Sequence, residues 1–90
     1  MRWCEMNAFS PLMRSHEGLN PDLNAQFDAN ENTLRQSAVM SQIHARLKPY
    51  LEKAVAKNSE TGVGVIRPLF FYYNEPQAFS ECYEYLLGRD

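Results

Sequence analysis

The chain has 90 residues, of which 44% are hydrophobic and 22% charged, with a formal net charge of -2. That length allows one small domain at most, and burying a little over about 60% of the unfolded surface leaves its core marginal. The composition is globular and argues against wholesale disorder. The absence of a basic run argues against a nucleic-acid partner, and no apolar run approaches the roughly 18 residues that cross a membrane.

Met1 to Asn7 carries one basic residue and no apolar segment, so no signal peptide is expected. Met1 to Ala8 has helical composition with no N-cap residue before it, which predicts a helix continued from a longer chain. Phe9 to His16 holds Phe9, Leu12 and Met13 as its apolar residues, and Pro11 forbids helix there. A short buried strand or an extended segment is expected. Glu17 to Ala29, rich in Gly, Asn, Pro and Asp, reads as a loop.

A long amphipathic helix follows. Asp28 and Glu31 fit a capping-box-like start, with Asp in place of Ser or Thr. Val39, Ile43, Leu47, Leu51 and Val55 recur every four residues, and Met40, Tyr50 and Ala54 widen the stripe. Arg35, Gln42, Arg46, Lys53 and Lys57 fall opposite, with His44 near that solvated side. Pro49 lacks the N–H that would bond Ala45, so a kink or a split is expected. Thr61-Gly62 ends the helix, with Gly62 as its left-handed cap.

Val63 to Ile66 and Leu69 to Tyr73 read as strand broken at Arg67-Pro68, on their β-branched and aromatic content. Asn74-Glu75-Pro76 is a turn. Phe79 to Leu87 fits helix or strand equally. One helix and a few short strands cannot cover all this apolar surface, and each wet Å² costs about 25 cal/mol. The aromatic run Phe70 to Tyr73 therefore expects neighbours that the 90 residues do not contain.

Cys4 and Cys82 form no CxxC pair and are expected to be free thiols in a reducing, cytoplasmic compartment, with one disulfide as the alternative. Together with His16 and His44 they lack the short paired spacing of a structural zinc site, so no metal is expected. No cofactor motif is present. Glu17, Asp22, Asp28 and Glu31 cluster along the loop, where turn and cap roles explain them. Trp3 reads as helix packing, and a lone histidine such as His16 reads, from its residues alone, as an ordinary surface or core residue.

Four stretches carry a family resemblance. Arg2-Trp3-Cys4 leading to Ala8-Phe9-Ser10-Pro11-Leu12-Met13-Arg14-Ser15-His16 resembles an R-W helix followed by G-A-F-S-P-x-x-R-x-H. Leu47-Lys48-Pro49-Tyr50-Leu51 is similar to L-x-P-Y-L. Thr61-Gly62 with Val65-Ile66-Arg67-Pro68-Leu69-Phe70 resembles T-G-x-P-V-x-R-P-L-F. Tyr83-Glu84-Tyr85-Leu86-Leu87-Gly88 is similar to D-Q-Y-L-L-G, with Tyr-Glu in place of Asp-Gln. In this order they resemble glycoside hydrolase family 31. Arg14-Ser15-His16-Glu17-Gly18, Gln26-Phe27-Asp28 and Leu86-Leu87-Gly88-Arg89-Asp90 are most similar to its bacterial sulfoquinovosidase and α-glucosidase-like group.

The resemblance implies an α/β fold class: a fragment of a (β/α)8 barrel over residues 1–62, with the last strand and the long kinked last helix, followed over 63–90 by the first strands of a β-sandwich domain. It implies a retaining hydrolase of α-glycosides, whose two catalytic Asp lie upstream of the matched stretch, so that these residues alone are expected to be inactive. Arg14 and His16 are the implied substrate-binding residues. His16 would bond sugar hydroxyls in the −1 subsite, since imidazole can donate from one nitrogen and accept at the other. Arg14 would fix carboxylates of the site by bidentate pairing. The partner is a carbohydrate, no cofactor or metal is called for, and the isolated segment is expected to self-associate. A free-standing small α+β interaction module or a gene remnant is the alternative.

Overall fold

The computed structural model describes residues 2–89. Met1 of the expected first helix and Asp90 of the last motif lie outside the described residues. Mostly helix, with one small sheet, the chain divides into two compact units, residues 1–48 and 49–90, and the division falls at Lys48-Pro49.

In the first unit, α1 (Arg2–Ala8) is a short helix whose Ala8 is completely buried. It stops where Phe9 and Ser10 turn back: their N–H groups donate to the carbonyls of Met6 (3.1 Å) and Asn7 (3.2 Å). Ser10 Oγ lies 2.9 Å from the Asn7 carbonyl and 2.8 Å from that of Leu12, so one hydroxyl ties the turn to the segment after it. Leu12 to Gly18 has no regular secondary structure. The expected buried strand does not form, because most of these residues are exposed and none joins a ladder. The loop beyond contains one 3-10 turn, Pro21–Leu23, with Pro at its start.

The long helix α2 (Glu31–Thr61) begins two residues later than the Asp28 box predicts. Asn30 caps it instead: its side-chain oxygen accepts the Thr33 N–H at 2.9 Å and its carbonyl accepts the Leu34 N–H at 2.9 Å. Asn competes well with Asp for this position, because either side chain satisfies an orphan N–H of the first turn. Pro49 lies inside α2 and does not split it. The helix ends at Gly62, whose φ of +73° is the expected left-handed cap; its N–H donates to the Asn58 carbonyl at 2.8 Å.

The buried face of α2 shares Met40, Ile43, Leu47, Tyr50, Leu51 and Ala54 with the expected stripe, but loses Val39 and Val55 and gains Ser37, His44 and Asn58. Ser37, Leu51 and Ala54 are buried, while Met40, His44, Leu47 and Asn58 are half-buried. These follow alternating steps of three and four. A repeat of four alone advances about 40° per step around a helix, and Val39 and Val55 therefore drift off the seam. They are 47% and 46% exposed.

In the second unit, β1 (Ile66–Arg67) pairs antiparallel with β2 (Leu86–Leu87), Ile66 opposite Leu87 and Arg67 opposite Leu86. The strand expected over Leu69 to Tyr73 is instead a 3-10 turn, Leu69–Phe71. Pro68 has no N–H to offer a ladder. The Leu69 carbonyl accepts from both Tyr72 and Tyr73, which closes the chain on itself. The aromatic run is consequently half-exposed, and Phe70 stacks on Phe79 at 5.7 Å beside α3 (Pro76–Ser80). Pro76 supplies the first residue of that helix, where a missing N–H costs nothing. Arg67 is buried. It donates from Nε to the Gly64 carbonyl at 2.6 Å and from Nη1 to the Tyr72 hydroxyl.

Candidate functional site

A cavity of about 600 Å³ opens in the first unit. Trp3, Cys4 and Asn7 of α1, Met13 to His16 of the irregular segment, Ala25 to Phe27 of the loop, and Thr33, Ser37, Ser41 and His44 of α2 form its wall. Both substrate-binding residues read from the sequence, Arg14 and His16, line it, and both are exposed. Both lie in the irregular stretch after Pro11. Between Pro11 and Leu19 no residue takes part in a backbone–backbone hydrogen bond among the described residues. Gly18 follows closely on His16, and a Cβ there would sit 3.1 Å from the Asn24 side chain, so the chain turns at a place that favours the smallest residue.

The wall mixes the apolar side chains of Trp3, Met13, Ala25 and Phe27 with hydrogen-bonding groups. Hydroxyls come from Ser15, Thr33, Ser37 and Ser41, amides from Asn7 and Gln26, and imidazoles from His16 and His44. Arg14 is the only permanently charged group, and among the described residues no carboxylate pairs with it. Among the described residues no Asp or Glu lines the cavity. The acidic residues of the loop serve elsewhere: Glu31 pairs with Arg35 across one turn of α2 at 2.8 Å, and Asp22 lies in the 3-10 turn. Such a wall can orient a polyhydroxylated ligand through donors and acceptors. Glycoside hydrolysis needs in addition a carboxyl on each side of the scissile bond.

Three other expectations meet the structure here. Trp3, expected to pack its helix, is 75% exposed and stands in the cavity wall. His44, placed by its sequence near the solvated side of α2, is half-buried, and its Nδ1 lies 3.0 Å from the Ala8 carbonyl. The signal for it was present: His44 continues the alternating series from Ser37 and Met40. Cys4 and Cys82 are free thiols. Among the described residues no three His, Cys, Asp or Glu side chains gather as metal ligands, and no helix is long and apolar enough to cross a membrane.

No family model matches the chain. Individual proteins do. The sulfoquinovosidase of Escherichia coli K12 is 46% identical over 91 residues, covering 100% of this chain and 13% of that protein. The sulfoquinovosidase of Agrobacterium fabrum is 48% identical, covering 100% of this chain and 14% of its own length. The solved structure of a family 31 sulfoquinovosidase from E. rectale, in complex with the aza-sugar inhibitor IFGSQ, superposes with a TM-score of 0.94 at 42% identity, over 99% of this chain and 14% of that one. The chain thus spans about one seventh of the length of the relatives it matches. A probable α-glucosidase from rice is 29% identical over 98% of the chain. By likeness of both sequence and structure along its full length, the chain is homologous to sulfoquinovosidases and α-glucosidases, among them a solved enzyme of glycoside hydrolase family 31.

Proposed function

We propose that the chain supplies sugar contacts of the −1 subsite in a retaining α-glycoside hydrolase of the sulfoquinovosidase or α-glucosidase type. In this reading residues 1–62 form the last strand and last helix of a (β/α)8 barrel, and residues 63–90 begin the β domain that follows. The observation that carries it is the meeting of Arg14 and His16 in one cavity, lined by no carboxylate among the described residues, in a chain homologous along its length to sulfoquinovosidases. Barrel enzymes place their chemistry at the C-terminal ends of strands, and in this reading His16 stands at such a position.

The roles follow from the side chains. His16 donates to one sugar hydroxyl and accepts from another. Arg14, unpaired among the described residues, offers a planar fork to a carboxylate of the active site and holds it in register. The nucleophile and the acid/base are two Asp residues upstream of this stretch, and retention requires their carboxyl groups about 5–5.5 Å apart. Homology over the full length supports this reading over a free-standing interaction module.

The test is stereochemical. The complete enzyme carrying this segment, given nitrophenyl α-sulfoquinovoside and α-glucoside, should release the α-anomer first, as followed by proton NMR before mutarotation. Release of the β-anomer, or no turnover of any α-glycoside, would overturn the proposal.

A further inference from the structure

We propose that His44 is a positioning residue for the sugar-binding segment: by donating its Nδ1 hydrogen to the Ala8 carbonyl, it fixes the point from which residues 9–16 run to His16. This deepens the proposed function and rests on His16 being a sugar contact.

The last carbonyls of a helix have no partner within it. At the end of α1 the Met6 carbonyl accepts from Phe9 N–H, and the Asn7 carbonyl accepts from Ser10 N–H and approaches Ser10 Oγ. Ala8, fully buried, reaches outside its own helix, to a side chain 36 residues away on α2. A carbonyl can only accept, so His44 Nδ1 carries the hydrogen, and Nε2 of the neutral ring is left as an acceptor. Beyond Ser10 the segment has no backbone–backbone hydrogen bond among the described residues until the loop. Its placement is therefore set at its upstream end, by the Ser10 turn and by the His44 bond. His44 is well suited to this. It is half-buried in the middle of a 31-residue helix and lines the same cavity as His16. Displacing a substrate-positioning group by about 1 Å can cost a large factor in rate even when the altered residue is remote from the chemistry.

The test compares four variants of the complete enzyme with wild type and with His16→Ala alone. His44→Phe keeps a ring and removes the donor. His44→Asn puts an amide N–H where Nδ1 stood. His44→Gln moves the same amide one methylene outward. The fourth combines His44→Phe with His16→Ala. His44→Phe and His44→Gln should each lower kcat/KM by about tenfold, mostly in kcat, while His44→Asn should stay within about threefold of wild type. In the His16→Ala background, His44→Phe should change little further, because the two act through one contact. Equal activity of the Asn and Gln variants would overturn the proposal, as would a full, additive loss in the double variant. Should His44→Phe fail to fold, the Asn–Gln comparison decides alone. If His16→Ala alone has no effect, it is the sugar-contact reading that fails.

Discussion

The phenolic hydroxyl of Tyr50 donates to the carbonyl of Leu87, 37 residues downstream, and accepts the Arg89 N–H at 3.2 Å. It therefore joins two stretches that look unrelated in the sequence, Leu47 to Leu51 in the middle of α2 and Tyr83 to Gly88 near the end. Gly88 between them has a φ of +71°, and a Cβ there would stand 2.5 Å from the Tyr50 hydroxyl. Backbone conformation and space both demand glycine at that point.

Tyr50→Phe should lower the melting temperature of the complete enzyme. It deletes a hydrogen bond with a net value of about 0.5–1.5 kcal/mol and leaves Arg89 N–H without this acceptor. Gly88→Ala should be worse, because about 1–2 kcal/mol of left-handed strain adds to the clash. The expected order of melting temperatures is wild type, Tyr50→Phe, Gly88→Ala. Combining the two should cost less than their sum, since Phe removes the nearest clashing atom. Strict additivity would show that the approach of Tyr50 to Gly88 is not what excludes a side chain.

Asn30→Ala should destabilise the first turn of α2 by about 1 kcal/mol, the usual value of a side-chain N-cap. Hydrogen exchange at Thr33 and Leu34 should accelerate, because these two N–H groups bond to Asn30. Asp28→Ala should leave both rates nearly unchanged. The reverse pattern would restore the cap to Asp28.

The isolated 90-residue chain should turn over neither nitrophenyl α-glucoside, α-xyloside nor sulfoquinovoside, because its cavity wall holds no carboxylate. It should also self-associate. Phe70, Phe71, Tyr73 and Phe79 are between 46% and 61% exposed, a patch large enough to seek cover. Sedimentation at micromolar concentration should show species larger than 10.4 kDa. A well-behaved monomer melting sharply above about 65 °C, beyond the usual mesophile range, would contradict this.

Much of the helical framework was legible in the sequence, because helix punctuation is local. Gly62 caps α2 as its residue type demands, and Pro49 was identified as lying inside that helix. The misreadings arise where local signals compete or tertiary partners decide. Asp28 and Asn30 are both good caps, and only the bond to Thr33 separates them. Leu69 to Tyr73 has strand composition, yet Pro68 and the doubly accepting Leu69 carbonyl turn it into a 3-10 turn. His44 was hidden because an apolar repeat of four drew attention from the true seam, which contains Ser37 and His44. Arg14 and His16 stand out only through resemblance to a family, since nothing in their spacing alone marks a sugar site.

His16→Ala in the complete enzyme tests the sugar contact most directly. Losing a hydrogen bond to an uncharged hydroxyl costs about 0.5–1.5 kcal/mol, and more when the contact strengthens in an oxocarbenium-like transition state. kcat/KM on the α-glycoside substrate should fall at least about tenfold, with part of the loss in kcat and the fold intact by circular dichroism. Near-wild-type kinetics in a folded His16→Ala enzyme with both catalytic carboxylates in place would contradict the assignment of this segment to the sugar-binding subsite.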